Sequence, residues 1–153
     1  MRGRLLIRVR AAGAGYPDVM MAAGQFPLLG APPFGLGEEA AGEVVAVPAG
    51  SRFAVGDQVA GITAFLEGWG GYAEYAYLRE ESSMRIPPGM TDAQAAGFPI
   101  AFRTAYAALV LRNYTVSGVL ATPLEDPSAE AAVWFELVEL ATAATITTPV
   151  GTV

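Results

Sequence analysis

The chemistry open to this chain is bounded first by the residue types it lacks. Its 153 residues include no Cys and no His, and its nine cationic side chains are all arginines. Thiolate nucleophiles, imidazole bases, lysine Schiff bases, disulfides and the usual zinc ligand sets are therefore excluded. Proton transfer must fall to Asp, Glu, Tyr, water or a ligand. Carboxylates crowd together in the run "GEEAAGE" at residues 37–43, and no calcium-binding loop pattern is present.

Composition narrows the partners. The chain is 53% hydrophobic and only 16% charged, which favours an apolar cavity or a covered apolar surface. The formal charge of −6 and the scattered arginines argue against nucleic acid. No window reaches the roughly 18 apolar residues of a membrane helix, and the alternation in "RLLIRVRA" reads as a strand rather than a leader peptide. A cytoplasmic chain is expected.

The elements that must position the carboxylates follow from periodicity and punctuation. Residues 5–10 alternate as a strand, broken by "AAGAG". "YPDVMMAAG" predicts a helical turn from Tyr16, with Pro17 and Asp18 suited to its first turn. "EAAGEVVAV" and the segment after the turn at Val55-Gly56-Asp57 predict two more strands. "GYAEYAYLRE" alternates from residue 71 as a fourth. Thr91 caps a short helix in "TDAQAAG". Short strands joined by Gly/Pro turns predict a small barrel or sandwich. Further on, "FPIAFRTAYAALVLRNYTVSGV" joins an Ala-rich helical run to a β-branched strand with no turn between them, and Asp126 to Ala144 predicts a long helix.

Five stretches occur in a recognisable order: "RVRAAGAGYPDVMMAAGQFP", "GLGEEAAGEVVAV", "FAVGDQVAG", "GGYAEYAYL" and "RIPPGMTDAQAAGFPIAFRTAYAAL". Together they resemble the GroES-like catalytic domain of the medium-chain dehydrogenase/reductase superfamily, in its zinc-independent quinone oxidoreductase branch. The resemblance spans residues 5–109 and resumes over 113–153 as a returning strand and C-terminal helix. It implies a mainly β fold with flanking helices, a partly open GroES-like barrel, in one domain over residues 1–153. In this family a Rossmann domain follows the "TAY" helix and holds NADPH. Here the chain passes from about residue 109 to 113 without one, and no glycine-rich dinucleotide fingerprint follows a strand. Such a chain fits a natural Rossmann-less descendant or an isolated catalytic-domain fragment, with no cofactor of its own. Glu38 stands where zinc-dependent relatives place a zinc-binding His, and Gly15 where they place a Cys, so no metal is expected.

The same resemblance singles out site residues. Glu39 matches a carboxylate beside the metal of zinc-dependent relatives. It is a candidate base if burial lifts its pKa, or a structural group paired with Arg103 or Arg52. Tyr16 and Arg103 are candidate catalytic donors to a developing oxyanion. Asp18, Phe26 and Thr104 match cleft or cofactor-facing positions and are assigned to substrate binding. Phe65 and Trp69, with Leu66, could form an apolar lid or simply pack over the sheet. Asp57 reads as a turn residue. Two functions stay open: a cofactor-independent binder or enzyme of the cyclisation or isomerisation type for an apolar oxygenated small molecule, and a redox-inactive reductase fragment serving as an interaction or scaffold domain. The apolar face near Ala105 to Leu111 predicts a homodimer or larger assembly.

Overall fold

The computed structural model describes residues 3–107. The residue 109–113 junction, the returning strand, the long helix from Asp126 and most of the face expected to self-associate lie outside the described residues.

Four antiparallel strands form the body of the fold: β1 (Arg4–Ala12), β2 (Glu39–Ala46), β3 (Gln58–Thr63) and β4 (Tyr75–Arg85). They pair in the order β1-β2-β3-β4, and β1 pairs back onto β4, with Leu5 opposite Leu78 and Ile7 opposite Ala76. The expected small GroES-like barrel is thus the observed architecture, with its ring closed by that last pairing. Helix α1 (Tyr16–Ala22) follows β1, while α2 (Asp92–Ala96) and α3 (Pro99–Tyr106) follow β4. No helix among the described residues is long and apolar enough to cross a membrane.

Strand alternation explains the core. Leu5 and Ile7 of β1, Ala40 and Val44 of β2, Val59 of β3 and Ala76 and Leu78 of β4 meet with Phe53 in one buried cluster. Full burial of such a Leu or Ile is worth about 1.5–3 kcal/mol over exposure, before the entropy of ordering is subtracted. The opposite face of β2 is buried too. There Ala41 packs with Ala60, Met84, Ala95, Ala96 and Phe98, the last three from the α2–α3 segment. β2 is therefore sandwiched, which accounts for its run of small residues. A third cluster joins Met21 of α1, Phe26, Ile62 of β3 and Phe65, with Ile100 of α3 against it.

The helix starts agree with the sequence. Thr91 Oγ1 accepts the Gln94 N–H at 3.2 Å, and the Gln94 side chain accepts the Thr91 N–H at 3.0 Å, a reciprocal cap. The turn before β3 also forms as expected, closed by the Asp57 N–H on the Ala54 carbonyl, with Arg85 paired to the Asp57 carboxylate.

One strand differs. The alternation from residue 71 predicts β4 four residues too early. The Gly71 and Tyr72 N–H groups instead bond the carbonyls of Gly37 (2.8 Å) and Leu36 (3.0 Å), so this stretch pairs with the loop ahead of β2. Tyr72 and Glu74 end up exposed, and the inward alternation begins at Ala76.

Close approach also constrains β2. A Cβ on Gly42 would collide with the Arg8 carbonyl of β1, where the β1–β2 register slips between Val9 and Ala11. Gly42→Ala is expected to lower stability by about 1–3 kcal/mol, the usual cost of overpacking. Urea denaturation checks this, and a midpoint equal to the parent's would show that the strands can separate at no cost.

Candidate functional site

The end of β1, the start of β2 and the N-terminus of α3 meet around Glu39. Side chains alternate along β2, so Glu39 and Ala41 face the α2–α3 layer while Ala40 faces the barrel interior. The Glu39 carboxylate accepts the Ile100 N–H in the first turn of α3 at 2.7 Å, and its stem lies against Gly13. The Gly13 N–H in turn bonds the Glu39 carbonyl at 3.1 Å. A negative group at this position also complements the positive end of α3.

Asp18 anchors α1 to the same region. Its two carboxylate oxygens accept N–H groups from Gly15 (2.9 Å) and Gly37 (3.0 Å), so it both caps its own helix and ties α1 to the loop before β2. Gly37 has φ +99°, and its carbonyl accepts from Thr63 Oγ1 at 2.7 Å. A side chain there would press on the backbone of Gly71 and Tyr72. Glu38 follows immediately and is buried close enough to Asp18 to be repelled by it. Tyr72 completes the group: its ring is half exposed, but its hydroxyl donates to the Gly13 carbonyl at 3.2 Å and also meets Asp18.

Burial is the main electrostatic force here. It raises Glu38 to about 7, with help from the Asp18 charge. It raises Glu39 to about 7 as well, with further upward pushes from Glu38 and Asp18, although the Ile100 N–H opposes the rise. Burial of the Tyr72 phenol, then Asp18, pushes that group up to about 12. Two carboxyls are thus poised to exchange protons near neutral pH, the property an acid or base in a site requires.

The expected site residues are only partly assembled. Glu39 and Asp18 lie at the same junction. Arg103 and Thr104 lie on α3 three and four residues beyond Ile100, hence on the helix face that Ile100 presents. Arg103 is buried, and Thr104 Oγ1 is buried with no hydrogen-bond partner among the described residues. Phe26 and Phe65 stack edge to face at 6.2 Å inside the third cluster, so Phe65 packs rather than covers. Trp69 is 59% exposed, edge-on to Tyr77, and Tyr16 is 75% exposed. The expected pairing of Glu39 with Arg52 is corrected. The Arg52 guanidinium donates to the Ser83 and Glu80 carbonyls and lies over Phe53. A turn bound to β4 by these bonds keeps it away from Glu39. Sequence reasoning passed over the acidity of Glu38 and the hydroxyl of Tyr72. Both neighbour a glycine-rich loop, but their proximity depends on that loop's pairing with residues 71 and 72.

No cofactor site is built from these residues. "GAG" between β1 and α1 superficially resembles a phosphate-binding turn. However, the Gly15 N–H is already taken by the Asp18 carboxylate, whose charge would repel a pyrophosphate. The junction does not fit NADPH. Nor, among the described residues, does any group of three or more acidic side chains converge to hold a metal ion. An open hollow of about 510 Å³ lies beyond the far end of β2, beside Gly50 and Glu80. Its carboxylate is occupied by Ser51 Oγ and the Arg52 N–H, so the hollow lacks the chemistry of the Glu39 junction.

A closed small barrel with a carboxylate-lined junction between β2 and the following helices defines a GroES-like domain of the oxidoreductase type. Residues 1–88 match the alcohol dehydrogenase GroES-like domain model, and the chain belongs to that family. Over 109 residues it is 43% identical to the polyketide synthase GfsB of Streptomyces halstedii, covering 71% of this chain but 2% of that protein. It is 43% identical over 91 residues to a quinone oxidoreductase of Pseudomonas aeruginosa, covering 59% of this chain and 27% of the relative. A mycobacterial protein whose structure is complexed with NADPH shares 30% identity at a TM-score of 0.61, covering 71% of this chain and 33% of the other. The chain therefore spans no more than about a third of these relatives. It is a quinone-oxidoreductase-like, medium-chain dehydrogenase/reductase segment.

The raised carboxyls make stability depend on pH. Glu38 and Glu39 bind protons more tightly in the folded state than at their ordinary 4.5. Their contribution is therefore full below about 4.5 and is lost as pH rises through about 7. Asp57 works oppositely, but its lowered pKa places its loss in acid, and the chain has no His to titrate between. The melting temperature is expected to be higher near pH 5.5 than near pH 8.5, and Glu39→Gln is expected to narrow that gap. Scanning calorimetry of both proteins at both pH values checks this, and a parent that melts higher at the alkaline value would contradict it.

Proposed function

We propose that this chain is the substrate-holding domain of a quinone- or enone-reductase-type protein of the cytoplasm. It binds an apolar carbonyl compound where α1, the start of β2 and α3 meet. One observation carries the reading: two near-neutral carboxyls adjoin an apolar wall. Met21 lies one helical turn from Asp18 on α1, and Ile100 gives its N–H to Glu39 while packing with Phe26 and Phe65. Apolar surface beside a few fixed polar groups is the composition of a small-molecule site. The relatives' names support a carbonyl or quinone as the ligand class.

A second reading rests on the carboxyls themselves. Glu39 and Glu38 could move a proton at a carbon next to the bound carbonyl with no redox partner, as an isomerisation or cyclisation requires. The scaffold reading is the remaining outcome, and it takes no ligand at this junction.

The test uses the whole 153-residue chain with 1,4-naphthoquinone as the probe. A Kd on the order of 100 µM, about −5.5 kcal/mol, is expected, with amide NMR shifts concentrated in α1, residues 36–39 and α3. Absence of any shift at millimolar probe would leave the scaffold reading. For NADPH added to the same chain, calorimetry is expected to give a Kd of about 1 mM or weaker, near −4 kcal/mol. Micromolar binding would mean that a pyrophosphate site exists after all.

A further inference from the structure

The barrel gathers arginines that the sequence separates. Leu5, Ile7, Ala76 and Leu78 turn into the core, so alternation directs Leu6 and Arg8 of β1 outward. Their direct cross-strand partners are Tyr77 and Tyr75 of β4, and Arg4 stands opposite Arg79 at the end of the same pairing. Trp69 extends this outer face. Its N–H bonds the Ala64 carbonyl at 3.1 Å, and the Ala64 N–H bonds the Tyr77 carbonyl at 2.8 Å, which ties the loop to β4. The indole meets Tyr77 edge-on at 6.1 Å yet stays 59% exposed, and Tyr75 is 49% exposed. Large rings held in place but left in water lose little further freedom when something covers them. Around them lie three partly exposed ion pairs, Arg4–Glu67, Arg79–Glu81 and Arg10–Glu43. An aromatic centre within a charged rim is the anatomy of a protein interface, and Trp, Tyr and Arg are the residue types that dominate its energetics.

We propose that this outer face of β1 and β4 docks a second copy of the chain, in a two-fold dimer centred on Trp69 and Tyr75. Charge selects the occupant. The chain carries a formal net charge of −6, so two copies repel over much of their surface. On this face Arg4, Arg8, Arg10 and Arg79 stand against Glu43, Glu67 and Glu81, and the repulsion is locally cancelled. A two-fold contact must complement itself, and a balanced rim does so, because each arginine can approach the partner's glutamates. A nucleic acid or a strongly acidic protein calls instead for surplus cations, whereas Arg4, Arg10 and Arg79 are already paired. The ring of strands is closed, so β1 and β4 offer no free edge and the contact must be made by side chains. Exposed ion pairs contribute little individually, which leaves the aromatic rings to hold the copies together. The dimer is therefore weak, with an expected Kd on the order of 50 µM.

Sedimentation velocity of the whole 153-residue chain tests this, over about 5 to about 500 µM in about 0.15 M salt. A monomer–dimer equilibrium is expected, with concentration-dependent amide NMR shifts concentrated in residues 4–8, 66–69 and 75–79. Trp69→Ala and Tyr75→Ala are each expected to raise the dimer Kd about tenfold or more. Circular dichroism confirms that each variant folds, and Tyr75→Ala decides the matter if Trp69→Ala does not. Raising the salt to about 0.5 M is expected to change the Kd less than about threefold, since the rim charges balance. A parent that stays monomeric throughout overturns the proposal. So do folded variants that dimerise as the parent does, because another face then joins the copies. Growth beyond the dimer, or a tenfold weakening in the higher salt, also overturns it, since either result means that the arginines bind an acidic surface elsewhere on the neighbouring copy.

Discussion

The bond from the Ile100 N–H to the Glu39 carboxylate holds the functional end of this molecule together. It joins three parts of the chain that are remote in sequence: the end of β1 at Gly13, the start of β2 and the first turn of α3. A buried carboxylate is costly unless its oxygens find donors. Here a single backbone donor offsets only part of that cost, and the neighbouring charges act against it, so the carboxyl is raised to about 7. The result is a structural carboxyl that titrates near neutrality, so the geometry of the α3 attachment and the protonation of the site are linked.

From that constraint the neighbouring carboxyls acquire different roles. Asp18 is fixed by two N–H groups and ties α1 to the loop before β2. Burial, helped by the Asp18 charge, raises Glu38 and lifts the Tyr72 phenol. A carboxylate fixed by two N–H groups thus lies close to a carboxyl raised to about 7. This separation gives two acids of similar chemical type different electrostatic settings in one region. It also arises without any His, Cys or Lys, whose absence leaves desolvation and carboxylate repulsion as the means of tuning a proton.

Much of the frame was legible in the sequence. The alternation of Leu5 and Ile7, the small residues of β2, the Thr91 cap and the turn at Asp57 are local signals, and local physics carried them through. The early start assigned to β4 failed for a non-local reason. The residue 71–74 stretch alternates well enough for a strand, but its N–H groups were claimed by Gly37 and Leu36, more than 30 positions earlier in the chain. Arg52 failed as a partner for Glu39 for a similar reason. Its guanidinium is satisfied by β4 carbonyls and the Phe53 ring, and those neighbours exist only once the barrel has closed.

What the sequence determined alone was the chemical vocabulary and the frame: carboxylates, phenols and arginines as the available groups, and a GroES-like barrel to carry them. Residue types and hydrophobic periods are written along the chain and need no partner to be read. What the tertiary structure decided was the use of each group. Adjacent in sequence and identical in type, Glu38 and Glu39 differ in their neighbours: Glu39 receives the Ile100 N–H, while Glu38 lies beside the Asp18 charge. Hydrogen-bond satisfaction and desolvation depend on which distant atoms the folded chain brings together, and that information is not local to any stretch of residues.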